Sequence, residues 1–134
     1  MGKLIDLVPP LELCKRLPEG AFKDSALVHV SMHVLDNMLK IEDIVPRACL
    51  EHCKDLYSVM APAPTLQEIM DALYVESDGT LLYATCERDD GGWCVNTTYE
   101  YRGYDSDDDG SEADKHNPAA AALRLYLERY GNNE

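Results

Sequence analysis

The run Asp105-Ser106-Asp107-Asp108-Asp109-Gly110-Ser111 carries the densest set of oxygen ligands in the chain. Carboxylates at positions 1, 3 and 5 with glycine at 6 follow the opening half of a calcium loop of the EF-hand kind, in which alternating oxygens surround the ion and glycine permits the sharp turn. The second half departs from that pattern. Position 12, which should supply a bidentate glutamate, is His116, and position 8, usually apolar, is Glu112. The preceding segment also alternates like a strand, where an EF-hand needs a helix. The expectation is a solvated, flexible acidic loop over residues 105–116, with no cofactor. Its charge modestly favours the N-terminus of the helix that follows. A weak calcium site on Asp105, Asp107 and Asp109 is the alternative.

A second set of ligand types is His29 and His33 with Cys49, His52 and Cys53. Zinc requires four convergent nitrogen or sulfur donors. The Cys-x-x-x-Cys spacing is looser than the usual Cys-x-x-Cys, and no tight glycine turn flanks either pair. These residues therefore read as structural: the histidines on the outer face of a strand, the cysteines on one face of a helix, where a buried thiol behaves as a small apolar group. His52 beside Cys53 is no catalytic pair, because neighbours on a helix point apart and a base must meet its thiol in space. No nucleophile elbow, His-Glu-x-x-His, phosphate loop or dinucleotide fingerprint occurs. No enzymatic activity is expected.

The third set is aromatic: Trp93, Tyr99, Tyr101 and Tyr104 stand among acids. Large aromatics dominate the cores of small domains, so Trp93 and Tyr99 are expected to pack against the C-terminal helix. Left exposed on a sheet, Tyr99, Tyr101 and Tyr104 would instead anchor a partner, together with Asp107, Asp108 and Asp109.

The charge balance narrows the choice of partner. Twelve Lys and Arg face 25 Asp and Glu, a net charge of −13. Residues 1–74 hold seven bases against eleven acids, whereas 75–134 hold five against fourteen. Such a surface repels phosphate backbones and anionic lipid, so direct binding to nucleic acid or membrane is not expected. A protein with a basic surface is. Five cysteines, an odd count, fit reduced thiols in a cytoplasm better than a disulfide framework. No signal sequence is expected, because Asp6 and Pro9-Pro10 cut the first apolar run short, and no apolar run approaches the roughly 20 residues that span a bilayer.

These residues need elements to position them. At 134 residues, 46% of them hydrophobic, the chain suits one domain with its own core. Residues 9–17 read as a short helix with proline in its first turn. In 26–39, Val28, Val30, Met32 and Val34 alternate with His29, Ser31 and His33; this favours a strand over 26–34, although a helical stripe capped by Ser25 also fits. Residues 47–57 read as a short helix. Thr65-Leu66-Gln67-Glu68 is a capping box that opens a helix over 65–73.

Leu81–Glu87 and Trp93–Arg102 then form a hairpin around Asp89-Asp90-Gly91-Gly92. Packing one apolar face requires Arg88 opposite Trp93, Cys86 opposite Val95, Ala84 opposite Thr97 and Leu82 opposite Tyr99. That register puts Cys94 across from Glu87, so Cys86 and Cys94 are not expected to be bonded. Asn117 caps a terminal helix over 118–130, with Pro118 in its first turn and Ala119, Leu123, Tyr126, Leu127 and Tyr130 as its buried stripe.

Three stretches, 9–20 (PPLELCKRLPEG), 61–73 (APAPTLQEIMDAL) and 117–131 (NPAAAALRLYLERYG), resemble segments of small uncharacterised accessory proteins from phages and mobile elements of gut bacteria. The resemblance implies a small accessory protein working in the cytoplasm of a bacterial host, and it transfers no functional residues. The resulting expectation is an α+β fold in a single domain, with two helices on one face of a small antiparallel sheet. Its function would be to bind another protein through the acidic hairpin and loop. An inhibitor that imitates nucleic acid is the alternative of a different class, and weak calcium binding a third.

Overall fold

A computed structural model describes residues 8–34, 39–52, 56–77, 79–101 and 104–131, with side chains described for all of these except 33–34, 39–40, 77 and 104–110. The fold is α+β: three helices and two antiparallel sheets, one of them curled into a half-barrel. The elements run α1 (Leu11–Cys14), β1 (Leu27–Val34), β2 (Leu39–Pro46), a 3-10 turn (Arg47–Glu51), β3 (Tyr57–Pro62), α2 (Leu66–Leu73), β4 (Val75–Ser77), β5 (Thr80–Asp89), β6 (Gly92–Tyr101), β7 (Tyr104–Asp114) and α3 (Pro118–Tyr130). One sheet has the order β2-β1-β3, the other β4-β5-β6-β7.

Residues 26–34 resolve in favour of the strand, but as the central one of its sheet. β1 pairs β2 along one edge and β3 along the other, and buried side chains line both of its faces. Val28 and Val30 pack with Val45 beside Leu50 and Tyr57 on one face; Leu27 joins Val8, Ile44 and Ala63 on the other. The expected outward position is corrected for His29. His29 is buried, only 5% exposed, and its Nε2 lies 2.9 Å from the Pro9 carbonyl oxygen, which accepts the imidazole proton. Alternation alone implies a solvated face only when a strand is covered on one side.

The expected helix over 47–57 is likewise shorter and of another kind: a 3-10 turn, followed from Tyr57 by a strand. Ser25, 3% exposed, anchors the entry to β1. Its hydroxyl donates to the Leu27 carbonyl at 2.7 Å, and Arg47 donates to the Ser25 carbonyl at 2.7 Å and to its hydroxyl oxygen at 3.0 Å.

The capping box on α2 forms as its sequence requires. The Glu68 amide donates to Thr65 Oγ1 at 3.3 Å, and Glu68 Oε1 accepts from the Thr65 amide at 2.8 Å. The other Glu68 oxygen accepts from the Ala26 amide at 3.1 Å, so one carboxylate caps the helix and ties it to the start of β1.

The hairpin register is the expected one at all four pairs, and Cys94 stands opposite Glu87. Cys86 and Cys94 are free thiols. Gly92, at φ 119°, turns the chain where a Cβ would come within 2.5 Å of the Lys115 backbone, so no side chain fits there.

Helix α3 begins at the Asn117 cap, whose side-chain oxygen accepts from the Ala120 amide at 3.1 Å. Its first turns, Ala119–Leu123, are buried on every side, with Leu125 and Leu127 below them. Four alanines allow the neighbours to approach closely. Together with α2 and α1, α3 packs against Val95, Ala84 and Cys86, building the larger core on one face of the four-stranded sheet. Tyr126 stacks between Phe22 and Tyr130, with ring centroids 5.0 Å apart in each pair. Tyr130 is 41% exposed and so leaves the expected buried stripe.

Candidate functional site

The largest departure from expectation concerns the acidic segment. Residues 104–114 form β7, paired antiparallel to β6 from Tyr101↔Tyr104 to Trp93↔Asp114. A bulge interrupts the ladder between Asn96↔Ser111 and Thr98↔Asp107, so Thr97 stands against Asp108, Asp109 and Gly110. The expected flexible loop is thus an edge strand, and the chain does not make the tight turn of a calcium loop there. Along an extended strand, residues two apart are separated by roughly 6.5–7 Å, a spacing that spreads Asp105 and Asp107 where a cage needs convergence. Among the described residues, no group of three or more His, Cys, Asp or Glu is placed to hold a metal.

The pairing also sorts the charge by face. Along one set of rows lie Val75–Leu82–Tyr99–Ser106 and Ser77–Thr80–Tyr101–Tyr104. These share the face that α3 covers farther along, where Ala84, Cys86, Val95 and Thr97 stand. Beyond the helix that cover ends: Tyr99 is 39% exposed, Tyr101 42% and Val75 41%. The other set contains the row Glu76–Leu81–Glu100–Asp105 and the row Tyr83–Thr98–Asp107. None of these seven positions, the four acids among them, has a lysine or arginine partner in register. Like charges directly opposite, as at Glu100↔Asp105, cost stability in a sheet. Their retention concentrates negative potential on that face.

The two ends of β7 differ in compensation. Glu112 and Asp114 are met by Arg124 of α3, at 3.3 and 3.1 Å, and the same guanidinium donates to the Ala113 carbonyl. Partial burial works against ionisation of Asp114. The amides of His116 and Asn117 and the Arg124 charge outweigh it, holding the carboxyl below its usual range. Glu128, hydrogen-bonded to Glu112, has its pKa raised by that contact and by the shared negative charge. At the other end, Asp105 and Asp107 pair in register with Glu100 and Thr98.

The aromatic expectation is corrected in part. Trp93 is half-buried, with the Arg88 guanidinium 5.5 Å from its ring centroid, a cation–π contact with its cross-strand neighbour. Tyr99 does not reach the core, and it and Tyr101 are both partly exposed. Sequence reasoning missed Val75 and Tyr74, both exposed at the same end of the sheet; the Tyr74 hydroxyl donates to Glu76 at 2.9 Å. The signal for them was the residue pair itself, Tyr74-Val75, directly after the last buried leucine of α2. The side chains of Tyr104, Asp107, Asp108 and Asp109, with those of His33 and Cys53, lie outside the described residues.

Elsewhere the chemistry is sparse. A depression of about 210 Å³ between α1 and β3 is lined by Cys14, Leu17, Gly20, Met60 and Ala61, below the roughly 300–1,000 Å³ of small-molecule sites. Burial pushes the Cys14 thiol up to about 12, which removes it as a nucleophile near neutral pH. Cys49 is exposed. No described helix is long and apolar enough to cross a membrane. No protein-family model matches the chain, and comparison with curated proteins and with solved structures finds no match.

Proposed function

We propose that this chain is a non-catalytic accessory module of phage or mobile-element type that binds another protein in the bacterial cytoplasm. Its contact surface is the far end of the four-stranded sheet. The observation that carries this reading is the coincidence, at that end, of Tyr99, Tyr101 and Val75 beyond the cover of α3 with rows of acids that have no lysine or arginine in register. Aromatic anchors supply contact area at low entropic cost. A one-signed rim steers a basic partner and repels nucleic acid.

The test is site-specific photocrosslinking in a bacterial lysate, with a benzophenone amino acid at position 99 or 101 and, as control, at exposed Glu12. A discrete adduct at 99 and 101 that is absent at 12 supports the reading; equal or no capture at all three positions overturns it. If the captured protein handles nucleic acid, and DNA competes with a binding that collapses steeply with salt, the carboxylates imitate phosphates and the contact is electrostatic. Binding that survives high salt and fails in Tyr99→Ala assigns the energy to the aromatic end.

A further inference from the structure

The tyrosines and the aspartates expected to share one contact surface occupy opposite faces of the sheet. Tyr99, Tyr101, Tyr104 and Ser106 lie in the rows of one face, and Glu100, Asp105 and Asp107 in the rows of the other. Both aspartates of these sets belong to β7, which also holds Tyr104 and Ser106. That strand is the last in its sheet, with β6 as its single strand neighbour, and it is 11 residues long. Its Ala113 carbonyl is taken by Arg124, so helix α3 attends to the C-terminal end of the strand. A partner that touches tyrosines and aspartates together must therefore straddle the edge over residues 104–109.

We infer that β7 is a docking edge for an extended, cationic segment of another protein, which adds to the sheet as a fifth strand with lysines or arginines alternating with apolar residues. Residues along such a strand fall alternately on the two faces. Its apolar set extends the Val75–Leu82–Tyr99–Ser106 row, and its basic set extends the Glu76–Leu81–Glu100–Asp105 row. Main-chain hydrogen bonds to the edge supply affinity, and the alternation supplies specificity.

Charge selects this occupant over a second copy. Pairing β7 with β7 would set aspartates against aspartates, which like-charge repulsion across a ladder opposes. Charges and bulges on edge strands ordinarily discourage pairing of any kind. Here all the charge is of one sign, so it discourages neutral and acidic strands while favouring a basic one.

This inference rests on the protein-binding reading above, and its test is separable from that one. The full chain is titrated with the capped peptide acetyl-Lys-Val-Lys-Val-Lys-Val-Lys-amide and with a block peptide of the same composition, four lysines followed by three valines. Strand addition predicts that the alternating peptide binds about ten-fold more tightly, a difference of roughly 1.4 kcal/mol. It also predicts that backbone N-methylation of one alternate set of residues abolishes binding while methylation of the other set is tolerated, because only one set of amides faces the edge. The double variant Asp105→Asn/Asp107→Asn should weaken the alternating peptide several-fold. Equal binding of the alternating and block peptides, or equal tolerance of both methylated series, identifies plain charge attraction and overturns strand addition. So does no detectable binding at about 1 mM alternating peptide. In each of those cases the crosslinking result at positions 99 and 101 still decides the broader reading.

Discussion

In the three-stranded sheet the central strand is closed in on both faces: Val28 and Val30 are fully buried, and His29 on the opposite side is nearly so. In the four-stranded sheet α2 and α3 cover one face, and only part of its length, so that Val95 and Thr97 are buried while Tyr99 and Tyr101, two and four residues on, are not. The polar groups buried at the central strand need partners, as Ser25 has in Arg47 and His29 in Pro9. At its far end the half-open sheet carries Glu76, Glu100, Asp105 and Asp107 in rows that hold no lysine or arginine. Burial thus reaches both faces of the central strand in one sheet and stops part-way along one face of the other.

The largest perturbation should come from Leu123→Ala, in the fully buried stretch of α3 that holds the four-stranded sheet to α2. Removing three carbons from a site packed on all sides is expected to cost about 3–4 kcal/mol, lowering the melting temperature by about 10 °C or more. A calorimetric loss below about 1 kcal/mol would mean that this core is loosely packed, and the contrast between the two sheets would lose its physical basis.

Next in size is Glu68→Ala, because this carboxylate both completes the α2 capping box and accepts from Ala26 at the mouth of β1. Loss of a cap and of a charge-assisted hydrogen bond should cost about 2 kcal/mol in denaturant unfolding. Glu68→Gln, able to accept but uncharged, should recover about half of it. If Glu68→Ala and Leu27→Ala destabilise additively, the link between helix and strand is not mechanical.

A smaller effect is expected from Arg124→Met. The guanidinium is about one-third exposed and pairs with Glu112 and Asp114, a partly screened network of about 1 kcal/mol. Its removal should raise the exchange rates of amides at the C-terminal end of β7 while leaving those of β1 unchanged. It should also strengthen binding of the cationic peptide, since two more carboxylates become unopposed. Unchanged peptide affinity would detach the electrostatics of that end from recognition.

The hairpin, both long helices and their caps were legible because local chemistry specified them. Gly91-Gly92 sets the turn, alternation from Leu82 to Cys86 and from Val95 to Tyr99 sets the register, and Thr65, Glu68 and Asn117 mark where helices begin. β2 and β3 were not legible. Lys40, Glu42 and Asp43 interrupt the apolar pattern of β2, and Pro62 at the end of β3 reads as a connector; both strands exist because β1 pairs them. β7 was misread for the same reason. Aspartate and glycine are poor strand formers, so Asp105–Gly110 reads as loop, and only pairing with β6 and the Arg124 contact hold it extended. Of the candidate site, Tyr99 was expected in the core and is partly exposed, and the separation of tyrosines from aspartates onto two faces required the register of a strand that the composition conceals.

The finest distinction between the two regions is a pH dependence. Burial holds the pKa of His29 below its ordinary value, against the opposing pull of the Pro9 carbonyl and the Glu42 carboxylate. For a base whose folded pKa is depressed, the unfolded chain binds the proton first, so stability is complete above the unfolded value of about 6.5 and declines as pH falls below it, towards the folded pKa. Asp114, also held below its ordinary value of 3.8, adds its own loss only at pH values beneath that. A protein closed around His29 should therefore lose stability in two separated steps on acidification, the first setting in below the unfolded imidazole's value of about 6.5 and absent in His29→Gln, the second below the ordinary carboxyl value and absent in Asp114→Asn. Amide exchange can assign each step to its sheet, the first to β1 and the second to β7. If His29→Gln retains the upper step, the imidazole is not enclosed as described, and the three-stranded sheet is open on the face where the N-terminal segment lies.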